Sequence, residues 1–341
     1  MRNFSANVKS QDIRAAIRVG LSVGIPLYFI YCVGRLDLEV FAAFGALTSL
    51  YGHSEPAETR LETQLAVGAS LVLTIAAAAI FSAMLGPSWL LALMLLAVVL
   101  LAGSLGAVMG WMPRGEIFFV LSLLVIAGLP LKPTELPLVI GTSTGGALIS
   151  IILTLLEIEN SRMAQPWHRR LRQRTAAGTD ALDKRRHAIA IMMAAIGVMS
   201  AWLLSLALKI GHPYWAALIV TALIPALLSA DALRRTGRLA LGTAGGVGLA
   251  ALLFSASPGP LALISVIVIC QAIAEVFVAR SYAIALLFFT PLAIGMSNIG
   301  RGLPWGPLLT TRVVEAGIGI VIALLVIVAG RVALSKWAPG T

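Results

Sequence analysis

Runs of apolar residues recur from Ala15 to Gly330, with no stretch between them that would hold a large soluble domain. Twelve can be drawn: Ala15–Val33, Glu39–Tyr51, Thr63–Leu85, Leu90–Met109, Ile117–Leu129, Leu138–Leu156, Ala188–Leu208, Tyr214–Ser229, Leu239–Ser255, Leu261–Val278, Tyr282–Met296 and Leu309–Gly330. A helix needs about 20 residues to cross the hydrocarbon of a bilayer. The pattern therefore predicts an all-α integral membrane protein of twelve transmembrane helices. Only 12% of the residues are charged, about half the share in a soluble domain. The segment MRNFSANVKSQDIR precedes the first run and no small-residue cleavage site follows, so that run reads as a retained span. The second, fifth, eighth and eleventh runs are shorter than a full crossing, and they occupy matching places in the two halves of the chain.

Charge orients the chain. With the N-terminus inside and every run crossing, 20 of the 25 Lys and Arg fall on the cytoplasmic side. Only Arg35, Lys132, Lys209 and Arg301 fall outside, and Arg312 lies within a span. That asymmetry is the positive-inside pattern. It explains the net charge of +10 without a nucleic-acid partner. It also predicts a multi-pass membrane protein with both termini on the cytoplasmic side. Cys32 and Cys270 both fall in apolar runs, far apart in sequence, so a disulfide is not expected. The four histidines show no metal or catalytic constellation, and no Walker motif occurs. The chain reads as neither an enzyme nor a cofactor carrier.

The halves repeat. A shift of 174 residues lays Phe41-Ala42-Ala43 on Trp215-Ala216-Ala217, Arg60 on Arg234, Gly68 on Gly242 and Gly145 on Gly319. Six runs per half is an even number, so the halves share one orientation and form a parallel repeat. The expected organisation is residues 1–156 and 188–341 as six-helix repeats, joined by a basic linker, 157–187, against the headgroups. Gly242 and Gly246, four apart, predict a close helix–helix contact.

Ionisable residues inside spans are costly and mark function. Arg312 and Glu315, at i and i+3 on one helix face, are the leading candidates: Arg312 for an anion, Glu315 for a proton. Two other readings stay open, an ion pair between them and an Arg312 side chain snorkelling to the outer surface. Glu275, stacked on Gln271, is a second proton candidate, or else a partner of the cluster Arg234, Arg235 and Arg238. That cluster reads as a positive-inside anchor or as an inner vestibule for anions. Tyr214-Trp215 stands at the outer edge, where an aromatic belt is expected, with a stacking wall for an aromatic substrate as the other reading. Thr290-Pro291 puts a helix breaker inside the eleventh run, which is tolerated when the freed carbonyl is buried or faces a cavity.

Several stretches together resemble the fusaric acid resistance family, which is related to bacterial aromatic acid exporters and to plant aluminium-activated malate transporters. They are Tyr214-Trp215, Arg234 with Arg238 and Gly242-Thr243, Tyr282 with Thr290-Pro291, and Arg312 with Glu315 and Gly317. The clear match lies in the second half; Leu138 and Gly141 stand where Arg312 and Glu315 stand in it. The resemblance implies proton-driven efflux of small organic anions, aromatic carboxylates above all. Arg312, Glu315, Thr290, Pro291, Tyr282 and Trp215 would then contact substrate. A homodimer in the bilayer is the assembly that the plant relatives suggest. A passive anion channel of the same fold and a non-transporting membrane scaffold are the competing expectations.

Overall fold

The computed structural model describes residues 10–52, 55–113, 116–158, 181–228, 232–278 and 280–337. Among them the chain is helical throughout and contains no strand. A helix forms at each of the twelve runs. In the first half these are α1 (Ser10–Val33), α2 (Glu39–Ala46), α3 (Ala57–Ala83), α4 (Ser88–Met109), α5 (Ile117–Ala127) and α6 (Leu136–Ile158). In the second they are α7 (Ala181–Ala207), α8 (Tyr214–Leu223), α9 (Ala232–Phe254), α10 (Pro260–Val278), α11 (Tyr282–Asn298) and α12 (Trp305–Trp337). Short 3-10 turns extend α2 over Leu47–Leu50 and α8 over Ile224–Leu228.

Among the described residues, eight helices are long and apolar enough to cross a membrane: α1, α3, α4, α6, α7, α9, α10 and α12. The other four are shorter, so twelve full crossings are more than helix length supports. The shortness has a physical reason. In α2 every residue but Val40 is buried, and in α8 every residue but Leu218 and Ala222. Backbone at membrane depth needs no lipid-facing length when protein surrounds it. The long helices form that surround, and their exposed side chains are apolar, as with Leu73, Leu101, Leu252 and Leu325. Trp89 and Trp337 are exposed indoles, whereas Tyr214 and Trp215 are buried. The expected belt at Tyr214-Trp215 is thus corrected: the pair opens a core helix and meets protein. The basic linker also ends earlier than expected, because α7 begins at Ala181 and takes up Lys184–Arg186. Its motif PWHRRLRQR lies outside the described residues.

The packing of one half is matched in the other. In the first, α1 packs on α2 and α6, α2 on α6, α6 on α3, α3 on α5 and α5 on α4. In the second, α7 packs on α8 and α12, α8 on α12, α12 on α9, α9 on α11 and α11 on α10. Between the halves α1 meets α10 and α4 meets α7, so each half's first helix touches the other's fourth.

Glycine makes the tightest of these contacts possible. Gly146 on α6 lies against the Ala42 carbonyl of α2. Gly146, rather than the Gly145 that the 174-residue shift lays on Gly319, is the structural counterpart in this contact: a Cβ on Gly319 would lie 2.6 Å from the Ala216 carbonyl oxygen and 2.6 Å from Ile219 Cβ, whereas one on Gly145 would meet nothing. Gly242 and Gly246 bring α9 onto α11 in the same way, each with a Cβ position 2.5 Å from an atom of that helix. Gly319→Val should therefore destabilise the protein by about 3 kcal/mol, the upper end for overpacking. Gly317→Ala, in open space two residues away, should instead gain about 0.5–1 kcal/mol from helix propensity. Denaturation in micelles checks both; equal effects would contradict the close-contact account.

Candidate functional site

The site is built at the N-terminal end of α8. The first turn of a helix leaves backbone N–H groups without acceptors, and its N-cap, Pro213, offers no side-chain cap. Glu315, reaching across from α12, supplies the acceptor. Its Oε2 takes the Ala216 N–H at 2.9 Å and the Ser205 hydroxyl of α7 at 3.2 Å. Glu315 is fully buried, and its Oε1 has no partner. A carboxylate at the positive end of a helix dipole is favourably placed.

Arg312, one turn earlier on α12, is 6% exposed. It neither snorkels nor joins Glu315, since the described residues include no ion pair between them. The guanidinium carbon instead lies 5.3 Å from the Trp215 ring centroid, over the ring. Nε and Nη1 of Arg312 are buried and make no hydrogen bond. Tyr214, Tyr282 and Glu315 lie within its electrostatic range. The two side chains separate because each has a better partner: the helix N-terminus for the carboxylate, the indole for the cation.

Trp215 also stacks on His212, with centroids 4.7 Å apart and planes at 16°. His212 lies in the loop before α8. Burial and then the Arg301 charge hold its imidazole below the ordinary value. The Tyr214 hydroxyl pairs with the Ser297 hydroxyl at 3.1 Å. Tyr214, Trp215, Gln271, Ser297 and Arg301 line a cavity of about 90 Å³ between the halves, closed from the first half by Phe44 and its α2 neighbours. A second recess of about 230 Å³ shares Val40, Met296 and Arg301 with it and carries Arg35, Asp37 and Glu135. Arg35 donates to both Asp37 carboxylate oxygens, which holds that exposed carboxyl below its usual value.

The remaining sequence candidates disperse. Arg312, Glu315, Thr290, Pro291, Tyr282 and Glu275 do not line the central cavity; Trp215 does. Thr290 donates to the Leu286 carbonyl and packs on Gly246, so the Thr290-Pro291 break serves the α9–α11 contact. The arginine cluster divides. Arg234 and Arg238 are exposed, whereas Arg235 turns inward. Its Nη2 donates to the Ala222 carbonyl at 3.4 Å, and its guanidinium lies 5.5 Å from the Tyr282 ring centroid. Glu275 is buried on α10, within electrostatic range of Arg18 on α1.

Sequence reasoning did not single out Ser205, Ser297 or the charge cluster around Glu157 and Asp12. In that cluster Glu157 accepts from Arg18 Nη1 at 3.1 Å on each oxygen and also from Arg60, while Arg280 pairs with Asp12 across the halves. These partners are separated by up to 268 residues, and no local pattern links them. Among the described residues no group of acids, histidines and cysteines is placed to hold a metal ion.

All of the site's second-half residues fall within residues 187–326, which match the family described as fusaric acid resistance protein-like. Most of the second half is thus similar to that family. An uncharacterized membrane protein, YvaC, from Bacillus subtilis (strain 168) is 24% identical over 187 residues, 53% of this chain. That alignment spans 29% of the length of YvaC. No solved structure matches the chain. Within the fusaric acid resistance protein-like segment lie Arg312, Glu315, Trp215 and Arg235, so the family match covers both ends of α8. With eight helices able to cross a bilayer and a membrane-protein relative, the chain is a multi-pass membrane protein.

Proposed function

We propose that this protein exports small organic anions, aromatic carboxylates among them, and is driven by the proton gradient. Arg312 binds the anion, Trp215 stacks on its ring, and Glu315, with Glu275 as the second candidate, carries the proton. The exporter is a twelve-span protein of two parallel six-helix repeats in the bacterial cytoplasmic membrane, with both termini inside. The matched packing within the two halves and the reciprocal contacts of α1 with α10 and α4 with α7 support the repeat. The fusaric acid resistance protein-like match supports efflux of small compounds.

One observation carries the reading: a buried guanidinium with unpaired Nε and Nη1 held over an indole. Removing a charge from water is expensive unless it is paired. An unpaired, preorganised Arg beside an aromatic ring suits a planar carboxylate, which accepts from the guanidinium fork and stacks on the ring.

Phthalate tests the reading, because its two charges keep it from leaking through lipid. Proteoliposomes should accumulate it against its gradient only when a pH gradient is imposed. Ohmic phthalate current without a pH gradient would establish the passive channel instead. No phthalate movement would leave the protein as something other than an aromatic-carboxylate exporter.

A further inference from the structure

Glu116 is a buried carboxylate that the proposed transport cycle does not use. It stands just before α5, outside the spanning segments, on the side that positive-inside counting assigns to the cytoplasm, and it is 5% exposed. It lines a cavity of about 140 Å³ whose other walls come from both halves: Gly103 and Gly106 of α4, His187 and Ile191 of α7, Thr221 of α8 and Pro225 of its 3-10 extension. Glycine on α4 makes the room, since a Cβ on Gly103 would lie 3.5 Å from Glu116 Oε2.

Among the described residues Glu116 forms no ion pair. Burial pushes the Glu116 carboxyl up to about 7, opposed only by a hydrogen bond from its own backbone. The titratable groups facing it from neighbouring elements are few. From α7 there is the half-exposed His187, whose Nδ1 lies 2.8 Å from the Asp183 carbonyl. From the segment after α2 there is the buried Tyr51 phenol. Arg114 lies outside the described residues, and among those described no Lys or Arg forms an ion pair with Glu116. From α8, Thr221 already donates to the Leu218 carbonyl.

The geometry points to Glu116 as the proton-exchange group on the inner side, with α8 as the element that passes its state to Arg312. One proton binds a carboxylate oxygen from cytoplasmic water and leaves to water again; no other bond changes. The C-terminal end of α8, with its 3-10 extension, walls the Glu116 cavity, while its N-terminal end sets Trp215 on Arg312 and Ala216 on Glu315. A neutral carboxyl lets apolar walls close on it, and an ionised one demands water and so a wider cavity. The same rigid helix feels both. This inference rests on the exporter reading for its coupling, and on the cavity alone for its proton.

Two measurements on the full chain test it, with Glu116→Gln as the variant and Glu116→Asp as the check should the first fold poorly. The first is thermal stability against pH, without substrate. Below pH 4.5 both folded and unfolded parent hold the proton, so parent and Glu116→Gln should melt together. As pH rises from 4.5 to about 7, the unfolded parent ionises while the folded parent keeps its proton, so the parent loses stability that the variant retains. The expected result is a melting-temperature advantage for Glu116→Gln that is absent at low pH and full above neutrality. Identical profiles overturn the proposal. The second compares phthalate accumulation driven by a pH gradient with phthalate exchange at equal pH. Glu116→Gln should lose the first and keep the second; equal loss of both overturns the coupling role. If the parent moves no phthalate while the pH profiles differ, the exporter reading fails and the proton site stands.

Discussion

Arg312→Met abolishes gradient-driven phthalate transport and leaves the protein folded and more stable. Both halves of that result follow from the same geometry. The guanidinium is buried, and its Nε and Nη1 have no acceptor in the protein. A buried, unsatisfied charge costs free energy, so replacing it with an apolar side chain of similar length removes a penalty. For the bound anion the sign reverses. Truncating one partner of a buried charge pair costs about 3 kcal/mol, or about 100-fold in affinity. Arg312→Lys keeps the charge but loses the flat fork that lies over Trp215, so its transport should fall between the two. Flux assays and denaturation in micelles on the same preparations decide the matter. A variant that unfolds, or one that transports normally, would contradict the assignment, the first by making Arg312 structural and the second by making it idle.

Glu315→Ala behaves in the opposite way: it destabilises. The carboxylate is the acceptor for Ala216 N–H and Ser205 Oγ, and truncation leaves both donors buried without a partner. An orphaned buried donor costs about 1–3 kcal/mol, so a loss of about 3 kcal/mol is expected. Glu315→Gln retains a carbonyl for the Ala216 N–H and should recover most of that stability while losing the ability to take up a proton. A Gln variant as unstable as the Ala variant would mean that the charge, rather than the hydrogen bond, holds the end of α8. A Gln variant with full gradient-driven transport would remove Glu315 from the proton path and leave it as a helix cap.

What the sequence made legible was the solvent and the elements. Apolar runs near span length located all eight long helices, because burial in lipid demands an uninterrupted run whatever the tertiary partners. The short helices were visible too, but not the reason for their length, since apolar residues facing protein look the same as those facing lipid. Trp215 shows the cost of that ambiguity. An indole at a helix start has the composition of a belt anchor, and only the packing of α12 against α8 reveals it as a buried platform for Arg312. Arg312 and Glu315 stood out because ionisable residues in spans are rare. Their separation did not, because i and i+3 spacing predicts a pair and each side chain found a partner on another helix. Glu116 carried no signal at all: an acid at the edge of a loop is ordinary until three helices close around it.

α8 has a carboxylate from α12 at its first turn and a guanidinium from α9 at its last, Glu315 on the Ala216 N–H and Arg235 on the Ala222 carbonyl. Short helices normally lose their ends first, since the terminal groups have nothing else to hold. Here both ends are fastened from outside, with charges that match the helix polarity. The helix is therefore a strut rather than a spring. It cannot shorten or unwind to absorb movement, so a shift of the wall around Glu116 must arrive at Trp215 as a displacement of the whole rod, and α9 and α12 must travel with it.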